Sequence, residues 1–140
     1  MRALLAAVPM VARRWACGAH LALIAILSLL PAWMFPPSAA GIPGIDKVAH
    51  VAMYGVLGIL LRWAAGDKSQ TRDNRPETRD FEIWMWGLPL AGAGYGLLME
   101  LLQLGFSGGS RMFSWWDAAA NLAGVVLFWW VADWMMGKSA

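Results

Sequence analysis

Residues 116–136 read WDAAANLAGVVLFWWVADWMM. The run is long and apolar enough to cross a bilayer, which takes roughly 20 helical residues at about 1.5 Å each. Two further stretches, 15–35 and 83–104, meet the same measure. A fourth, from Val48 to Trp63, is shorter and is expected to begin earlier, giving a helix over 46–65. The expected fold is therefore all-α: an integral membrane bundle of four transmembrane helices at about 15–35, 46–65, 83–104 and 116–136, forming a single domain over residues 1–140. Four helices satisfy their backbone groups internally, as lipid demands.

Composition agrees. Of 140 residues, 59% are hydrophobic and 14% charged, where a soluble domain is about half apolar and a quarter charged. A chain this short could not hide that excess in a soluble core. Disorder, collagen and coiled coil are excluded by the same numbers. The single Cys17 excludes an internal disulfide framework and any multi-cysteine metal site. A net charge of only +2 argues against nucleic acid as a partner. Arg13-Arg14, the apolar run after them and Ser38-Ala39-Ala40 imitate a signal peptide, but the run is long for that role and Pro36-Pro37 sits before the cut. The first stretch is read as a retained helix.

The connections set the expected topology. Residues 66–82 are polar, with nine of seventeen charged, and are expected to form a cytoplasmic loop. Arg2, Arg13, Arg14, Arg62, Lys68, Arg72, Arg75, Arg79 and Lys138 fall on one side of the membrane and Lys47 and Arg111 on the other. Nine against two predicts both termini inside. Trp33, Trp115 and Trp116 then mark the outer interface, and Trp15, Trp63, Trp84, Trp86, Trp129, Trp130 and Trp134 the inner one.

Polar residues that lipid should not tolerate collect at one depth. Asp46, Lys47 and His50 open the second helix, Glu100 and Gln103 close the third, and Asp117 and Asn121 open the fourth. Asp46/His50 and Asp117/Asn121 are spaced i,i+4, and Glu100/Gln103 i,i+3, so each pair shares a helix face. Three short polar stripes are expected to turn inward and bond to one another near the outer leaflet, with Arg111 between the third and fourth helices. Asp46 and Asp117 are also placed to cap helix N-termini. Internal glue is the plain alternative, with Glu100 paired to Arg111, His50 or Lys47. Arg111 suits a phosphate or carboxylate through its forked donors. His50 is open between proton shuttle, ligand contact and structural group. One His with two or three carboxylates can hold a divalent ion, but no dense ligand motif exists, so no metal and no cofactor is assigned. Gly92 and Gly96, with Gly55, Gly58 and Gly124, permit close helix approach. His20 is expected to bond to a neighbour.

Asp46-Lys47-Val48-Ala49-His50 followed by Met53-Tyr54-Gly55-Val56-Leu57-Gly58 resembles the opening motif of the VanZ-like family. Glu100-Leu101-Leu102-Gln103 with Phe106, Gly109, Arg111, Ser114, Asp117, Asn121 and Gly124 resembles its second motif. The resemblance covers residues 45–128; the proline common before the family's Arg is replaced here by Gly108-Gly109-Ser110. It implies a multi-pass protein of the bacterial inner (cytoplasmic) membrane and, as a phenotype without a reaction, teicoplanin resistance.

The expected function is an outer-leaflet polar pocket in which Asp46, Lys47, His50, Glu100, Gln103, Arg111, Asp117 and Asn121 bind an anionic lipid or lipid-linked cell-wall precursor. A membrane enzyme acting on lipid-linked phosphate headgroups, with His50 and the carboxylates as acid and base, is one alternative. A structural partner in a membrane complex, or a homo-oligomer, docking through the Gly92/Gly96 face and the 66–82 loop, is the other.

Overall fold

A computed structural model describes residues 7–31, 34, 44–66, 78–106 and 113–137, with backbone only for 78–85 and 137, and the regular structure among them is all helical. Four long helices follow in order: α1 Met10–Leu29, α2 Ile45–Ala65, α3 Thr78–Phe106 and α4 Trp115–Gly137. By length and composition α1, α2 and α4 can each cross a membrane. Large apolar side chains such as Trp15, Ile26, Val48, Leu90, Leu127 and Trp134 are exposed. An apolar surface of this extent has no place in water. The chain is a multi-pass membrane protein.

Two expected boundaries are corrected. The first helix runs over Met10–Leu29 rather than 15–35. Leu30 is extended, with φ −63° and ψ 136°, because the ring of the following Pro31 disfavours a helical residue before it. The third helix begins at Thr78, inside the segment 66–82 read as loop. Charged residues suit a solvated helix as well as a loop, so polarity alone located the end of the apolar run and not the start of the helix. Gly44 and Gly66 bracket α2 in positive-φ conformations that only glycine adopts readily.

The core is built from Cys17, Ile24, Tyr54, Leu57, Met99 and Val125. α2 and α4 make the closest approach, with backbone against backbone. A Cβ on Gly58 would collide with the Val125 carbonyl, and one on Gly124 would lie 2.6 Å from the Val51 carbonyl. Gly92 faces Leu61 and Val125, and Gly96 faces Tyr54 and Asn121. The Gly92/Gly96 stripe is therefore spent inside the bundle, as glycines that permit close helix approach should be, and is not free to be the docking face of the structural-partner alternative. Trp129 is likewise buried, at 4% exposure, rather than at an interface.

Polar bonds tie the remaining helices. His20 Nε2 on α1 donates to the Met53 carbonyl of α2 at 3.0 Å, as expected of a histidine in a span. The Tyr95 hydroxyl of α3 donates to the Leu21 carbonyl of α1 at 2.8 Å. The Arg13 guanidinium lies 5.6 Å from the ring centroid of Trp63, so the start of α1 meets the end of α2.

Candidate functional site

The first turns of α2, the last turns of α3 and the first turns of α4 converge. Lys47 and His50 come from α2, Glu100 from α3, and Asp117 and Asn121 from α4. Glu100 and Asn121 are each 1% exposed. Nδ1 of His50 lies 2.9 Å from Oδ1 of Asn121, so the imidazole donates there and the amide oxygen accepts. The same Nδ1 is 3.7 Å from Oε1 of Glu100, an ion-pair distance outside hydrogen-bond range. Nζ of Lys47 lies 3.2 Å from Oδ1 of Asp117 and also pairs with Asp46. The Lys47–Asp117 contact neutralises the carboxylate without making a directed hydrogen bond.

The cluster is not fully satisfied. The Tyr54 hydroxyl, one turn below His50, and Nδ2 of Asn121 are buried and have no hydrogen-bond partner among the described residues. Native interiors leave few such groups. Lys47, at 43% side-chain exposure, forms the outer edge.

The expected site residues divide as follows. Lys47, His50, Glu100, Asp117 and Asn121 are brought together. Gln103 is buried at 4% exposure on the same end of α3. Asp46 stands at the edge: its side chain is 52% exposed and pairs with Lys47. An i,i+4 neighbour is about 40° round the helix, and here that rotation carries Asp46 out of the interior. Arg111 lies outside the described residues.

Neither Asp46 nor Asp117 caps a helix. Gly44 occupies the N-cap of α2 without a side-chain bond. For α4 the cap is Ser114, whose Oγ accepts from the Asp117 N–H at 3.3 Å. Ser114-Trp115-Trp116-Asp117 fits the capping-box pattern of a hydroxyl followed three residues later by an acid, a signal present in the sequence. Both carboxylates remain in first turns, where the helix dipole favours them.

A second polar contact was missed. Arg62, counted above only as a cytoplasmic charge, is 4% exposed. Its Nε donates to Oδ1 of Asp133 at 2.6 Å and its Nη1 to the Gly66 carbonyl at 2.8 Å. Asp133 within the apolar run 116–136 was the available signal, since a carboxylate there requires a partner.

No family model, curated protein or solved structure matches this chain.

Proposed function

We propose that the chain is a VanZ-like protein of the bacterial cytoplasmic membrane with four spanning helices and both termini inside. On this reading the cluster of Lys47, His50, Glu100, Asp117 and Asn121 lies at the extracytoplasmic end and binds the headgroup of an anionic lipid or lipid-linked cell-wall precursor. The observation that carries it is Glu100, a carboxylate at 1% exposure set among polar groups from three helices, beside a hydroxyl and an amide nitrogen lacking partners among the described residues. A purely structural network would be expected to close on itself. Lys47 and Arg111, the two basic residues assigned to this side, supply positive charge to a phosphate or carboxylate.

The test substitutes Glu100→Gln and Arg111→Ala in the full chain. Lipids retained on purification are measured by mass spectrometry, and teicoplanin susceptibility is measured in cells. Loss of a specific retained lipid in both variants supports the proposal; unchanged retention and susceptibility at normal expression refutes it.

The orientation of His50 favours one second reading, a membrane hydrolase or transferase. An imidazole oriented by Asn121 beside Glu100 has the arrangement of a general base. Turnover of a lipid-linked phosphate by the purified chain, lost in His50→Ala, would establish it.

A further inference from the structure

The described part of the cluster has the wrong sign for an anion on its own. Among the described residues Glu100 and Asp117 outnumber Lys47. The same donors fit a cation. One ligand atom each from His50, Glu100 and Asp117 lie within 4.8 Å of one another, on three different helices. Asn121 Oδ1 joins them, 2.9 Å from Nδ1 of His50. Donors about 2.1 Å from one ion lie roughly 3.0–3.5 Å apart across octahedral or tetrahedral angles. The 2.9 Å and 3.7 Å separations around Nδ1 bracket that range.

We propose that His50, Glu100 and Asp117, assisted by the Asn121 carbonyl oxygen, form a divalent-cation site. Three observations support it. Two acceptor oxygens face one ring nitrogen, a convergence that either a proton or a metal ion can fill. The Lys47 ammonium, 3.2 Å from Asp117 and half-exposed on a flexible stem, stands at the edge of the site as a monovalent stand-in that can swing aside. The Tyr54 hydroxyl and Asn121 Nδ2, on side chains at 1% exposure, lack partners among the described residues; the amide nitrogen is no metal ligand, but both groups can donate to a water held by the ion. A mixed imidazole and carboxylate set suits Mn2+ or Zn2+ rather than a soft ion. The Glu100 and Asp117 carboxylates balance the charge of a divalent ion. The donors come from three helices, which is why no compact ligand motif stands in the sequence.

A bound ion would invert the local sign and give an anionic headgroup a point of attachment. That last step rests on the proposed lipid binding; the cation site does not.

The experiment uses the purified full chain in detergent, titrated with Mn2+ followed by electron spin resonance and with Zn2+ followed by calorimetry. About one ion per chain is expected, with spin-echo coupling to an imidazole nitrogen that disappears in His50→Gln. Asp117→Asn weakens binding at least roughly 10-fold, the lower end of what losing even an outer-shell partner costs. Lys47→Ala, at an exposed position that spares the fold, tightens binding by removing the competing ammonium. Absence of saturable binding in both the wild type and Lys47→Ala, or affinity unmoved by His50→Gln and Asp117→Asn, overturns the site. Lipid retention with and without chelator is measured separately: saturable metal binding without retained lipid leaves the cation site standing and ends the headgroup proposal.

Discussion

At one end of the α2–α4 pair, Arg62 donates to Asp133 at 2.6 Å and to the Gly66 carbonyl at 2.8 Å. At the other, His50, Glu100, Asp117 and Asn121 crowd together while the Tyr54 hydroxyl and Asn121 Nδ2 stay without partners among the described residues. Both regions hold ionised groups in a bundle where lipid makes them costly. Short, directed donation to a carboxylate and a carbonyl makes the Arg62 end a lock. At the His50 end the His50–Glu100 separation of 3.7 Å and two buried donors without partners among the described residues make a looser network.

Breaking the lock should have the largest effect. Arg62→Ala removes the 2.6 Å donor to Asp133 within an apolar span and is expected to cost about 3 kcal/mol in a detergent unfolding titration. Replacing both partners with apolar residues should restore most of it; a negligible loss in Arg62→Ala would remove the distinction between the two ends. Gly58→Ala comes next, because its Cβ meets the Val125 backbone and must push α2 from α4. Overpacking of this kind costs roughly 1–3 kcal/mol, and it should also weaken lipid retention, since α2 carries residues of both regions. Gly94→Ala, with nothing within 4 Å of its Cβ, should instead gain about 0.5–1 kcal/mol from helix propensity. Ser114→Ala removes the α4 cap that positions Asp117 and should cost about 1 kcal/mol in the same titration.

Two smaller effects sharpen the contrast. Glu100→Gln keeps the shape and hydrogen-bonding reach of the side chain, so its cost should stay below that of Arg62→Ala while lipid retention is lost. A cost equal to that of Arg62→Ala would make the His50 end a lock as well. Asp46→Asn should change the melting temperature and binding least of all, since its side chain is 52% exposed and its partner Lys47 is half-exposed; a loss of binding would return Asp46 to the site.

Much of this was legible because depth can be counted. Residues a fixed distance from the end of an apolar run lie at a fixed level, and five of the eight expected site residues do meet. Helix rotation was not legible. Lys47 reaches Asp117 on α4, while Asp46, one residue and roughly 100° away, pairs with Lys47, although i,i+4 spacing made Asp46 and His50 look equivalent. Helix ends were set by local chemistry that an apolar count misses: Pro31 stopped α1, and α3 ran on into charged residues from Thr78.

Sequence alone determined the solvent of this protein and the level of its polar groups. Transfer of apolar surface is additive along a chain, and helical rise is constant. Tertiary structure alone decided which polar groups face one another. Arg62 and Asp133 lie 71 residues apart, as do His50 and Asn121. Both pairs depend on the mutual rotation of α2 and α4, which is fixed where Gly58 and Gly124 let their backbones touch. Contact of that kind is a property of two surfaces together and is written in neither helix by itself.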